Sequence, residues 1–96
     1  MTTALKHFYE ARDDFFAFLD EARQINRPLG GYTITALHER LRAMTLKFEE
    51  LIGFDVTATT LARCARSLSD AANAVAWERR PIKSADDLTA PPPAWA

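Results

Sequence analysis

The sequence predicts an all-α fold: an antiparallel three-helix bundle followed by an extended, proline-rich C-terminal arm. Apolar residues recur at steps of three and four through residues 34–52, which places them along one side of a helix. Breaks rich in glycine or proline separate three segments, each long enough to form a helix. The first segment is rich in phenylalanine and the third in alanine, so their surfaces are complementary in size.

The composition predicts one small globular domain. The 96 residues are 48% hydrophobic and 26% charged, with a net charge of −1. The chain lacks the basic excess that supports nucleic-acid binding over a wide surface. One cysteine excludes an internal disulfide, and no apolar run approaches the roughly 20 residues of a membrane helix. Without a signal-peptide pattern at its start, the chain is expected to be cytoplasmic, with no membrane partner.

The first helix is expected over residues 3–25, with Thr2 or Thr3 as its N-cap. Phe18 and Tyr9 lie at the two edges of its broad apolar face, where we expect them to contact a neighbouring helix or a partner protein. The face itself comprises Leu5, Phe8, Phe15, Phe16, Leu19, Ala22 and Ile25.

Two arginines, Arg12 and Arg23, project within this apolar arc. We expect their stems to cover apolar surface while the guanidinium groups reach carboxylates on a neighbouring helix, such as Glu49 or Asp70. The alternative is a paired site for an anion or a partner protein.

The second helix is expected over residues 34–52, capped by Thr33 or Thr35, after a break at residues 26–32. Leu46 lies nearly opposite its apolar seam and is our candidate for an exposed apolar contact with a partner. The seam comprises Ile34, Leu37, Leu41, Met44, Phe48 and Leu51.

The third helix is expected over residues 57–80, after a C-cap at Gly53 and with Asp55 or Thr57 as N-cap. We expect Cys64, at the edge of its apolar stripe, to behave as a small hydrophobic residue. Trp77 projects to the polar side and should cover the returning arm or contact a partner. The stripe comprises Ala58, Leu61, Ala65, Leu68, Ala72 and Val75.

The chain therefore divides into a bundle at residues 1–80 and a C-terminal arm at residues 81–96. A short helical turn should begin after Ser84, followed by an extended polyproline segment at residues 91–93. We expect Trp95, near the end of the arm, to lie in a groove of this bundle or of a neighbouring chain.

No catalytic, metal or cofactor site is predicted. His7, Glu10 and Asp14 share one side of the first helix but project away from the apolar face, whereas helical metal sites draw inward-pointing ligands from several helices. A nucleophilic Cys64 would need a nearby histidine as base, and its position at the edge of the apolar stripe favours a small core residue instead.

Four arginines of the third segment form a basic constellation: Arg63, Arg66, Arg79 and Arg80. The strings Leu61-Ala62-Arg63 and 75–82, which contains Trp77-Glu78, resemble fragments of phage-repressor helix-turn-helix domains. That resemblance implies a helix in the DNA major groove, with Arg79 and Arg80 on the phosphate backbone. The intervening segment is about two residues longer than in that family and reads as unbroken helix.

The leading functional hypothesis is a non-catalytic protein-binding module: a small cytoplasmic adaptor, regulator or inhibitor that covers a surface of another protein. The residues expected to bind the partner are Trp77, Trp95, Leu46, Phe18, Tyr9, Arg12 and Arg23. A second copy of the chain is an alternative partner. The runner-up is a helix-turn-helix-like DNA-binding regulator, and the third hypothesis is a small helical enzyme or anion-binding protein that uses Arg12 and Arg23.

Overall fold

A computed structural model of the protein describes residues 3–25, 28–54, 56–89, 91 and 93. Four helices span this part of the chain: α1 (Thr3–Ile25), α2 (Gly31–Ile52), α3 (Ala58–Glu78) and the short α4 (Ala85–Thr89). The described residues contain no strand. The predicted all-α three-helix bundle is confirmed.

Contacts at the helix ends show that the bundle runs up, down and up. Phe8, near the start of α1, packs against Phe48, near the end of α2, with 6.2 Å between ring centroids. The C-terminal turns of α1 and α3 meet through an ion pair between Arg23 and Glu78. Helix α2 therefore runs antiparallel to both of its neighbours and packs extensively against each, while α1 and α3 touch over a shorter stretch.

The apolar seam predicted for α2 forms the middle of the core. Leu37, Met44 and Leu51 are fully buried, and the alternate seam positions Ile34, Leu41 and Phe48 are packed against them. Burial of each large side chain stabilises the fold by roughly 1.5–3 kcal/mol. The other large, fully buried side chains are Phe8, Phe15 and Leu19 of α1 and Cys64 of α3.

Helix α2 begins three residues earlier than predicted. Gly30 is its N-cap, with φ −71° and ψ 165°, and the Ile34 amide donates to the Gly30 carbonyl over 3.0 Å. Thr33 and Thr35, the predicted caps, therefore lie inside the helix. Glycine is nearly as good an N-cap as threonine, so the helix extends to Gly30 without a side-chain cap.

The buried seam of α3 is rotated from the predicted one. Ala58, Ala65 and Ala72 are exposed, and their places in the core are taken by Cys64, Ala71 and Glu78. The predicted positions Leu61, Leu68 and Val75 do face the core. Alanine occurs on several sides of this helix, so apolar spacing alone did not distinguish the two seams.

Both ends of α3 have identifiable caps. The Thr57 side chain accepts a hydrogen bond from the Thr60 amide at 3.2 Å, as expected for one of the two predicted caps. The helix ends at Glu78, two residues before the predicted end. Arg79 is the C-cap, and its amide bonds back to the carbonyls of Val75 and Trp77.

The first part of the arm forms the predicted helical turn. Helix α4 carries Asp86 and Asp87 in its first turn, and the Asp87 amide donates to the Ser84 carbonyl over 3.1 Å. The Asp87 carboxylate accepts a hydrogen bond from the Lys83 amide at 2.9 Å, which closes the turn. Trp95 lies outside the described residues, so its docking stays a prediction.

Candidate protein-binding surface

An open groove lies at the corner where α1 turns into α2. Its volume is about 210 Å³, below the roughly 300–1,000 Å³ typical of small-molecule sites. It therefore has the size of a recess for a protein side chain rather than of a cofactor site. Its lining comprises Phe18, Glu21, Ala22, Ile25, Leu29 and Thr33.

The local sequence explains why this corner stays open. Helix α1 ends at Ile25, and α2 starts only at Gly31, so neither helix extends across the corner. Leu29 is buried, with 6% of its surface exposed, and forms the floor of the corner. Ile25 is 77% exposed, and Tyr32, which precedes the groove-lining Thr33, is 96% exposed.

Sequence reasoning missed both of these residues. Ile25 was expected in the core because it continues the apolar face of α1, but it occupies the last position of the helix and is exposed. Tyr32 was assigned to the inter-helix turn and lies in the first turn of α2. Prediction of the helix start at Gly31, with Gly30 as N-cap, would have identified Tyr32 as a residue of the first helical turn.

Phe18, which lines the groove, is contacted by an arginine from α2. The Arg40 guanidinium lies 4.0 Å from the centre of the Phe18 ring. Its Nε is 3.3 Å from Asp14 Oδ2, an ion pair in which the N–H does not point closely at the oxygen. Its Nη1 donates to the Ala36 carbonyl. Phe18, predicted to bind a partner, is thus half-buried and partly covered by this arginine.

Tyr9 and Arg12 form a second arginine–aromatic pair on α1. The Arg12 guanidinium lies 4.6 Å from the Tyr9 ring centre and forms an ion pair with Asp13 at 2.8 Å. The Tyr9 hydroxyl donates a hydrogen bond to the Cys64 thiol. Tyr9 is half-buried and packs against the core, so only part of its side chain is accessible to a partner.

The environment of Cys64 favours the neutral thiol. Burial raises the pKa of the thiol, and the hydrogen bond from Tyr9 and the nearby Arg12 charge offset part of that rise. Cys64 is fully buried in the core. Since the thiolate is the nucleophilic form, this geometry matches the expected role as a small core residue.

Arg12 and Arg23 do not converge on one site. They lie eleven residues apart on α1, which corresponds to about 16 Å along the helix. Arg12 pairs with its neighbour Asp13. Arg23 pairs with Glu78, at 2.6 Å between Nε and Oε1, instead of with the expected Glu49 or Asp70.

The third arginine–aromatic pair holds the start of the arm. The Arg80 guanidinium lies 3.8 Å from the Trp77 ring centre, and its Nη1 donates to the Trp77 carbonyl over 2.9 Å. Its Nη2 donates to the Asp87 carbonyl of α4 over 2.5 Å. Trp77 is half-buried and contacts Arg80, the residue that reaches α4; whether Trp77 binds a partner stays a prediction.

The four arginines of the basic constellation differ in their surroundings. Arg63 and Arg66 are exposed on the outer face of α3. Arg79 contacts His38 of α2 at 3.0 Å, and Arg80 is committed to Trp77 and α4. Helix α3 runs unbroken through residues 66–69, so the turn of a helix-turn-helix motif does not occur there.

Leu46 is 51% exposed, close to the expected position opposite the α2 seam. It borders a shallow hollow beside the Lys47–Glu50 ion pair, which is 3.5 Å long. Ile52 and Phe54, at the end of α2, are also exposed and were not predicted as contact residues. The hollow has a larger volume than the α1–α2 groove, about 510 Å³, but it is more open to solvent, and Ile52 and Phe54 are not part of its lining.

The described residues contain no group of three or more histidine, cysteine, aspartate or glutamate side chains placed to hold a metal ion. Within the same part of the chain, no helix is both long enough and apolar enough to cross a membrane. Comparison with protein-family models, curated proteins and solved structures gave no match that would point to a function.

Proposed function

We propose that this protein is a non-catalytic protein-binding module: a small cytoplasmic regulator, adaptor or inhibitor that acts by covering a surface of a larger protein. The supporting observation is the apolar groove at the α1–α2 corner, with the exposed Ile25 at its edge and Tyr32 beside it. Single exposed apolar residues are ordinary on protein surfaces. A recess that has a large exposed apolar side chain in its lining is typical of an interaction surface.

The other hypotheses find less support in the geometry. The aromatic candidates Tyr9, Phe18 and Trp77 are each paired with an arginine of the same chain, so they are less available as contact residues than expected. The separation of Arg12 and Arg23 disfavours a shared anion site.

The test is co-purification of the tagged full-length chain from its native host, with identification of retained proteins. The proposal expects one protein in stoichiometric amount. A partner bound at the groove would be retained equally by wild type and by Ile52→Ser, and lost with Ile25→Ser. Ile52 is a matched control because it is also the last residue of a long helix and 66% exposed. Absence of any stoichiometric partner would overturn the proposal.

A further inference from the structure

The groove at the α1–α2 corner is continuous with an acidic edge of α1. Glu10, Asp14 and Glu21 follow one another at spacings of four and seven residues, which places their carboxylates on one side of the helix. Glu21 lines the groove itself. Asp14 is joined to the groove through Arg40, which pairs with Asp14 and covers Phe18.

The carboxylates of this edge are exposed and only partly neutralised. Glu10 has a loose ion pair with Lys6, with 3.9 Å between the charged atoms, and both side chains face solvent. Such an exposed pair contributes little and is easily exchanged for another. Among the described residues, the exposed surface of α1 carries five carboxylates and one lysine: Glu10, Asp13, Asp14, Asp20 and Glu21 against Lys6. Two of the five, Asp13 and Asp14, are also paired with the partly buried Arg12 and Arg40.

We infer that the groove and the acidic edge together bind a cationic amphipathic helix of a partner protein. An apolar side chain of that helix would enter the groove between Phe18 and Ile25, as in other helix-in-groove complexes. Its lysine or arginine side chains would pair with Glu21 and Glu10, which lie about 16 Å apart along α1. This spacing corresponds to three turns of a helix laid alongside α1. The inference rests on the proposed function and names the partner's chemistry.

The negative charge of this edge favours a cationic helix as the occupant of the groove over a second copy of this chain. A symmetric dimer packs the same patch of both subunits together. Here that arrangement would bring Glu21 of each copy into the same interface, and like charges that are juxtaposed in an interface disfavour association. A cationic helix instead complements the carboxylates and steers its own approach to the groove.

The direct test uses two synthetic peptides of roughly 18 residues, enough for about five helical turns. Both carry leucines along one face, and they differ only in having lysines or glutamates at the flanking positions. Titration into the full-length protein, followed by calorimetry and by amide chemical shifts, should show 1:1 binding of the lysine peptide. The shifts should centre on the groove residues, and the glutamate peptide should not bind.

Two pairs of variants distinguish specific binding at the groove from non-specific binding of the peptide. Ile25→Ser should weaken binding of the lysine peptide about tenfold, because part of the apolar contact is lost. Ile52→Ser should leave it unchanged. The double variant Glu10→Gln/Glu21→Gln should weaken binding and reduce its salt dependence, whereas Glu39→Gln on the exposed face of α2 should not. All of these sites are exposed, and circular dichroism verifies that the variants fold.

Equal binding of both peptides, or equal loss with Ile25→Ser and Ile52→Ser, would overturn the inference. So would sedimentation showing a wild-type dimer that Ile25→Ser converts to monomer, because a second copy would then occupy the groove. If co-purification yields a partner that the groove variants still retain, the proposed function stands and this inference fails. If it yields none, the proposed function itself fails.

Discussion

The Nε of Arg23 lies 2.6 Å from Oε1 of Glu78, and this pair joins the C-terminal ends of α1 and α3. Both side chains are largely removed from solvent, with 14% and 5% of their surfaces exposed. A charge in such a position is stabilised only while its partner is present. The pair therefore links the folding of the two helices that have the least contact with each other.

Arg23→Met and Glu78→Leu should each lower the free energy of unfolding by about 3–5 kcal/mol, because each removes the ion-pair partner of a charge that is largely buried. The double variant should be more stable than either single variant, since two apolar side chains of similar size replace the pair. Urea denaturation measures all three. Lys47→Ala, which breaks an exposed pair, is the control and should cost less than about 1 kcal/mol. Equal losses across the series would contradict a buried pair.

Truncation of two leucines of α2 should lower the free energy of unfolding by very different amounts. Leu37 is fully buried, so Leu37→Ala should lower the free energy of unfolding by about 2–5 kcal/mol through lost burial and the cavity left behind. Leu46 is 51% exposed, and Leu46→Ala should cost less than about 1 kcal/mol. Thermal and urea unfolding check both values. A large loss at Leu46 would mean that α2 faces the core from the other side.

Arg80 should hold α4 against the bundle. Arg80→Ala removes the stack on Trp77 and the hydrogen bond to the Asp87 carbonyl, and hydrogen bonds from charged donors contribute about 1.5–3 kcal/mol. Hydrogen exchange of the Asp87 amide should then accelerate about tenfold or more. Arg80→Lys should restore only part of the protection, because lysine lacks the planar fork that reaches both carbonyls.

Arg79→Ala is the matched control for that measurement. Arg79 contacts His38 on the bundle rather than α4, so its removal should leave exchange at Asp87 unchanged. If Arg79→Ala and Arg80→Ala accelerate exchange equally, the arm is held by general basic charge and not by the Arg80 contacts.

Cys64 should make stability fall in alkaline solution. Its pKa is raised in the folded protein above the ordinary value of 9.0, so above that pH the unfolded chain loses the proton before the folded protein does. The contribution is complete below about pH 9 and is lost as pH rises toward the folded-state pKa. Urea unfolding between neutral and alkaline pH should show the advantage of wild type over Cys64→Ala shrinking as pH rises. A constant difference would contradict a buried, neutral thiol.

The sequence by itself determined the number of helices, their order and the core face of α2. Regular steps of three and four place Leu37, Met44 and Leu51 on one side of any helix, so this face required no knowledge of the neighbours. Thr57 was identifiable as a cap because its side chain acts within its own turn. Leu46 was identifiable as exposed because it lies opposite the seam.

Only the tertiary structure decided which side of α3 faces inward and where charge is buried. Alanines on several sides of α3 made two seams equally plausible, and packing against α1 and α2 selected the one through Cys64, Ala71 and Glu78. The partner of Arg23 depends on how far α1 and α3 extend past one another, which no local spacing records. The groove at the α1–α2 corner has the same origin. It depends on how α1 and α2 are placed relative to each other, and this placement leaves Ile25 exposed.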